Sequence, residues 1–146
     1  GDRARGRLTA MREALAQHDL ALPNEAIVDD GGLDAQAGRA AWRTLRERGV
    51  RATAVVCSND LIAAGVIIEC QVAGLRVPQD VSVTGYNDSA LAGAFEPSIT
   101  SVETPVDLHA HEVARVMLAA LRDKQPVPVL RLPTRLLARA SSGPAP

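Results

Sequence analysis

Apolar positions recur with two different periods along the chain, so the sequence predicts helices interleaved with strands. Apolar spacings of three and four residues predict helices at 6–20, 35–49, 59–74, 87–95 and 105–124. Short apolar runs predict strands at 26–28, 53–57, 81–86 and 99–104, and extended segments at 126–141. The last four residues are expected to fray. This alternation predicts an α/β fold with a parallel sheet flanked by helices.

Three predicted strands end in polar side chains. Asn59 and Asp60 follow one strand, Asn87 and Asp88 follow another, and an Asp29–Asp30 pair follows the first. In open α/β sheets ligands bind beyond the carboxyl ends of the strands, so these groups are expected to meet at one edge. Carboxylates accept hydrogen bonds and amides both donate and accept, which suits sugars and other polyols. The alternative is helix capping, for which Ser, Asn and Asp are the ordinary residues.

Composition narrows the function classes. The chain is 47% hydrophobic but only 2% aromatic, which favours helices packed on a sheet over an aromatic-rich sandwich. The formal net charge is −1 and no basic block is present, so this chain alone is not expected to bind nucleic acid strongly. No apolar run of about 18 residues exists, and no membrane span is predicted. The cysteines, Cys57 and Cys70, are expected to be buried apolar fillers in a reducing compartment, the cytoplasm.

The sequence offers little for catalysis. It contains no nucleophile elbow, phosphate-binding loop or dinucleotide fingerprint. His109 and His111 are two residues apart and do not share a helix face, so no metal pair is predicted. No nucleophile with a credible base is evident. We therefore expect no enzyme activity, no cofactor and no metal site.

Four stretches together resemble the effector domain of the lactose-repressor (LacI/GalR) family of bacterial transcription regulators. They are GDRARGRLTAMREAL, TAVVCSNDLIAAGV, AGLRVPQDVSVTGYNDSALA and EPSITSVETPVDLHAHEVARVML. The resemblance covers about residues 1–140, and GLRVPQDVSVTGYND is its most specific part.

The resemblance implies an architecture like that of type I periplasmic sugar-binding proteins, with two α/β lobes and a ligand in the cleft between them. Residues 1–104 would belong to an incomplete C-terminal lobe, 105–125 would form a helix of the N-terminal lobe, and 126–146 would be a return segment and tail. The chain is then expected to be a fragment that lacks the DNA-binding headpiece and most of the N-terminal lobe.

The same resemblance implies effector contacts. Arg7 matches an arginine that reaches the ligand, and Asn59 matches an amide at a strand end. Leu33 lies near a position where an aromatic ring often stacks on the ligand. Asn87 stands where many members have Asp, so that an amide replaces a carboxylate. The expected effector-binding set is Arg7, Leu33, Asn59, Asn87, Asp88 and Thr104.

Family members dimerise through their C-terminal lobes. The residues expected at that homodimer interface are Ile62, Ala64, Val66 and Phe95, and the alternative for Ile62 and Val66 is plain core packing. The sequence thus predicts a sensor that binds a small polar effector, a sugar or related metabolite, and modulates DNA binding. Asn59 is expected to face the effector, with Asp60 capping the helix or orienting Asn59. A periplasmic sugar-binding protein and an α/β enzyme of another family are the alternatives.

Overall fold

The computed structural model describes residues 2–29, 31–124 and 126–145, with side chains from Arg5 onward. The α-helices are α1 (Asp2–Ala16), α2 (Ala35–Glu47), α3 (Asp60–Val72), α4 (Ala90–Ala94) and α5 (Val106–Asp123). The strands are β1 (Ala54–Val56), β2 (Ser82–Asn87), β3 (Thr100–Glu103) and β4 (Arg135–Leu137). A 3₁₀ turn spans Asn24–Ala26.

The four strands form one sheet in the order β1-β2-β3-β4. The first three strands are parallel, with Val56 opposite Thr84 and Asn87 opposite Glu103. Strand β4 pairs with β3 in the antiparallel direction. The α/β fold is confirmed, but the sheet is mixed rather than wholly parallel, because the chain returns from α5 along the edge of β3.

The strand predicted at 26–28 is wrong. Asn24–Ala26 is a 3₁₀ turn, and Ile27 is extended without belonging to a strand. Among the described residues, β1 ends the sheet on its side, so the 26–28 segment does not pair with it. Asp29 is exposed and Asp30 lies outside the described residues. The expected third polar strand end is therefore not a strand end.

Several predicted boundaries shift for local reasons. Helix α1 spans Asp2–Ala16 rather than 6–20. Helix α4 begins at Ala90, because Asn87 and Asp88 adopt positive φ angles of 97° and 53°, which no helix contains. Pro105 precedes the first residue of α5 instead of occupying it.

The core lies between helix α3 and the sheet, and α2 packs on α3. Two glycines allow the helices to approach this closely. A Cβ atom at Gly38 would clash with the Ile62 carbonyl oxygen, and one at Gly65 would clash with the Ala35 carbonyl oxygen. Trp42 fills the far end of the same core at 2% exposure. Helix α3 is thus packed between α2 and the sheet.

The chain end is anchored beside the sheet as far as Gly143, the first of the four residues that were expected to fray. Val83 donates its backbone N–H to the Ser141 carbonyl (2.8 Å), and Gly143 donates to Ser82 Oγ (3.1 Å). Ser141 is fully buried. The extended stretch expected at 126–141 contains one short strand, β4, and this anchor.

Helix α5 carries apolar side chains that the described residues leave exposed. Val116 is buried, at 6% exposure. Other apolar side chains of this helix are 41% to 75% exposed; these are Val106, Leu108, Val113, Met117, Leu118 and Leu121. Little of the helix's apolar face is used within this chain.

Candidate functional site

The predicted polar residues meet where the parallel strands end. We call this place the carboxyl edge; it consists of Ser58–Asp60 after β1, Asn87–Asp88 at the end of β2, and Thr104 after β3. Because β1, β2 and β3 are adjacent and parallel, their ends lie side by side. The convergence expected from the sequence is confirmed for the ends of β1 and β2, whereas Asp29 does not follow a strand.

Arg7 reaches this edge from helix α1. Its Nη1 atom donates to the Ser58 carbonyl oxygen at 3.1 Å. Its guanidinium lies over the ring of Tyr86, 4.3 Å from the centroid, which is a cation–π geometry. The charge of Arg7 is therefore held between the ends of β1 and β2. Sequence reasoning missed Tyr86, although its place directly before Asn87 was a usable signal.

Asn59 caps helix α3. Its Oδ1 accepts the Ile62 N–H at 2.8 Å, and its Nδ2 donates to the Leu33 carbonyl at 2.9 Å. The capping alternative is confirmed, and the idea that Asp60 caps the helix is wrong. An asparagine amide carries two N–H bonds, and one remains without a partner in the described part of the chain. The residue is thus able to cap and to donate outward at once.

Leu33 lies in the loop that leads into α2. Its backbone carbonyl is tied to Asn59, while its side chain is 68% exposed. Asp34 follows and caps α2 by accepting the Ala37 N–H at 2.9 Å. The loop is therefore fixed where it joins α2, and it presents an apolar side chain to the outside.

The Asn87–Asp88 turn and Thr104 line a second part of the edge. Thr104 Oγ1 lies 3.5 Å from the Asn87 carbonyl oxygen, and an Asp88 carboxylate oxygen lies 2.7 Å from Arg139 Nη2. A cavity of about 410 Å³ opens here, and its lining also includes Glu103 and Asp107. Arg7, Leu33 and Asn59 are not among its lining residues. The structure thus groups the six predicted effector residues into two neighbouring clusters.

Glu103 is a further polar group that the sequence analysis did not select. It lies opposite Asn87 in the sheet and pairs with Arg135, whose Nε is 3.0 Å from Glu103 Oε2. Its position as the last residue of β3 was the available signal. The cavity therefore combines an amide, a hydroxyl and three carboxylates, of which two are balanced by arginines. Such a wall accepts hydrogen bonds from hydroxyl groups.

The two cysteines are buried, as predicted. Burial raises the pKa of the Cys57 thiol to about 12 and that of Cys70 to about 11. Both thiols are therefore protonated and unreactive at neutral pH. Cys57 packs in the core as a small apolar side chain directly before Ser58 of the carboxyl edge.

Two of the four residues expected at a subunit interface lie inside the chain's own core. Ala64 and Val66 are each 2% exposed, so they offer no surface to a partner. For these two the expectation is corrected, because helix α3 is covered on several sides. Ile62 and Phe95 are half-buried and pack against that core.

Within residues 2–29, 31–124 and 126–145, no group of three or more His, Cys, Asp or Glu side chains is arranged to hold a metal ion. No helix in the same ranges is long and apolar enough to cross a membrane.

Comparison with known proteins gives consistent matches. The family of periplasmic binding protein-like domains matches residues 2–142. The HTH-type transcriptional regulator CelR of Thermobifida fusca is 36% identical over 136 residues, 92% of this chain and 40% of that protein. The repressor PurR of Escherichia coli is 30% identical over 142 residues, 97% of this chain and 41% of that protein. The chain therefore spans about two fifths of the length of these relatives.

Solved structures that are similar to this chain are also of transcriptional regulators. A complex of the regulator CelR with cellobiose superposes with a TM-score of 0.84 at 36% identity, covering 93% of this chain and 42% of that one. A LacI-type regulator from Bifidobacterium animalis subsp. lactis gives a TM-score of 0.86 at 26% identity, covering 94% and 49%.

Proposed function

Because the chain belongs to the periplasmic binding protein-like domain family, in the form found in LacI-type transcriptional regulators, we propose that it senses a small polar effector for such a regulator. The effector is a sugar or a related polyol, and it binds at the carboxyl edge. Binding favours one arrangement of two lobes over another and so changes the affinity for DNA. DNA contact is assigned to a part of the regulator outside this chain, and the regulator acts in the cytoplasm.

The observation that carries this proposal is the composition of the carboxyl edge. A fixed arginine lies over an aromatic ring at the ends of β1 and β2. An amide with a spare N–H and an acidic cavity lie on either side of it. Charged and amide donors beside carboxylate and hydroxyl acceptors suit the hydroxyl groups of sugars, and the relative CelR has been solved with cellobiose.

Two further parts of the proposal concern assembly. The exposed apolar face of α5 supports the division at 104/105, because a helix of this kind needs a second lobe to cover it. The lobe of residues 1–104 is proposed to dimerise near Ile62 and Phe95, where half-buried apolar side chains reach the surface. No catalytic step is part of the proposal.

The test is calorimetric titration of the full-length protein with cellobiose, glucose and ribose. Arg7→Met removes the forked donor but keeps an apolar stem, and it is expected to weaken the tightest of these complexes at least about tenfold, the range for a lost charged hydrogen bond. Arg12→Met is the matched control on the same helix, since among the described residues Arg12 bonds only Asn24, at 2.7 Å, away from the carboxyl edge. Equal affinities in the two variants would contradict the role of Arg7. Absence of binding for every sugar would contradict the proposed effector class.

A further inference from the structure

Asp60 is a buried carboxylate beside the proposed site, and the capping of α3 does not require it. The side chain is 2% exposed, and Asn59 already supplies the cap. A buried carboxylate is costly unless hydrogen bonds satisfy it, so its partners indicate its role. Oδ2 accepts the backbone N–H of Ser89 at 2.7 Å, and Oδ1 accepts the hydroxyl of Ser101 at 2.6 Å.

Ser101 extends this contact by one residue. It is fully buried on β3, and its Oγ accepts the backbone N–H of Asp88 at 3.1 Å while donating to Asp60. The carboxylate of Asp60 therefore holds two consecutive backbone N–H groups after β2. It holds Ser89 directly and Asp88 through the Ser101 hydroxyl.

The turn that receives these bonds has an unfavourable backbone. Asn87 has φ 97° and Asp88 has φ 53°, and positive φ is disfavoured for residues other than glycine. Two adjacent residues of this kind persist only when surrounding contacts hold them. On the far side of the turn, Arg139 lies against the Asp88 carboxylate, 2.7 Å from it.

Strand β2 also makes room for the carboxylate. A Cβ atom at Gly85 would clash with Asp60 Oδ1, so only glycine fits between this side chain and the strand. Gly85 lies two residues before Asn87 on the same strand. The start of α3, the turn after β2 and strand β3 are thus joined through one side chain.

We propose that Asp60 is a positioning residue that fixes the Asn87–Asp88 turn in its ligand-binding conformation without touching the ligand. That this conformation binds a ligand rests on the proposed function. The positioning itself concerns only the backbone of this chain. Its consequence is that the orientation of the Asn87 amide and the Asp88 carboxylate is set from inside the core.

Amide hydrogen exchange, followed residue by residue by NMR on the whole chain, tests this. In Asp60→Ala the amides of Asp88 and Ser89 are expected to exchange about tenfold faster relative to the Val83 amide of the same strand. Ser101→Ala leaves the Asp60–Ser89 bond in place, so it is expected to accelerate Asp88 by a similar factor and Ser89 much less. This second variant decides the outcome if Asp60→Ala does not fold.

Glu69→Gln is the control. It removes another paired carboxylate of α3, far along the helix from the turn. A general loss of stability accelerates the strand and turn amides by a common factor, and this variant is expected to do that. If Ser101→Ala also accelerates Val83, Asp88 and Ser89 equally, or changes none of them, the positioning role is wrong. The readout needs no ligand, so its failure is distinct from a failure of the sugar titrations.

Discussion

At the carboxyl edge, the side chain of Asn59 stabilises local structure and also presents a hydrogen-bond donor at the surface. Asn59 satisfies an orphan N–H of α3, ties down the Leu33 loop and still has one N–H to offer. From the sequence, Asn59 was open to two uses, an effector contact and a helix cap, and the structure shows the cap. The sequence did not distinguish Asn59 from Asp60 as the cap, since both residue types are good caps and only burial separates them.

The cap predicts a stability effect at Asn59. Asn59→Ala is expected to lower the free energy of unfolding by about 1 kcal/mol, because the Ile62 N–H loses its acceptor. Asn59→Asp keeps an acceptor at the cap and is expected to lose less. Urea denaturation followed by far-UV circular dichroism measures both.

Ser89 provides the matched control for that measurement. It occupies the N-cap position of α4, but its side chain makes no cap hydrogen bond. Ser89→Ala is therefore expected to stay within about 0.5 kcal/mol of the wild type. Similar losses for Asn59→Ala and Ser89→Ala would contradict the assignment of a working cap to Asn59 and not to Ser89.

At the scale of elements, apolar periodicity was sufficient for the long helices and for β1, β2 and β3. It failed where the outcome depends on a neighbour. Residues 26–28 have strand-like composition, but a strand requires a partner, and Ile27 has none among the described strands. The direction of β4 and the buried anchor at Ser141 are long-range pairings that no local pattern encodes. The close contact of α2 and α3 is likewise visible only in the structure.

That contact predicts a sharp difference between two glycine substitutions. Gly38→Ala would drive a methyl group into the Ile62 carbonyl, and the helices must separate to accommodate it. We expect a loss of about 1–3 kcal/mol in the free energy of unfolding, the range for overpacked cores. Thermal and urea unfolding both measure this.

Gly93→Ala is the control, because no atom lies within 4 Å of the added methyl group and the residue is in the short helix α4. Alanine reduces the freedom of the unfolded chain, so a gain of about 0.4–1 kcal/mol is expected. A Gly38→Ala protein as stable as Gly93→Ala would mean that α2 and α3 are not in close contact.

At the scale of the whole molecule, paired carboxylates lie at separate places. Glu69 joins α3 to Arg43 and Arg39 of α2, at 2.7 and 2.8 Å. Asp80 pairs with Arg76 in the loop before β2, and the guanidinium hydrogen bond lowers the pKa of its carboxyl from 3.8 to about 2. These ion pairs secure the parts of the lobe that lie away from the carboxyl edge. Because protonation removes the negative charge of the carboxylate, acid weakens each of these ion pairs.

Glu69 makes the stability of the fold depend on pH in the acidic range. Hydrogen bonds from Arg43 and Arg39 lower its pKa from 4.5 to about 2 in the folded chain. A carboxyl whose pKa is lower in the folded state binds protons more readily when unfolded, so its stabilisation is complete above about pH 4.5 and is lost as the pH falls towards 2. The melting temperature is therefore expected to be nearly constant from pH 7 to 5 and to fall below that.

Glu69→Gln is expected to be less stable than the wild type at pH 7 and to lose less stability on acidification, so the curves of melting temperature against pH for the two proteins approach each other near pH 2. Glu13→Gln, at an exposed residue with no ion pair among the described ones, is expected to follow the wild type throughout. Calorimetric melting temperatures across this pH range measure all three, and a constant gap between wild type and Glu69→Gln down to pH 2 would show that the charge of Glu69 does not stabilise the fold.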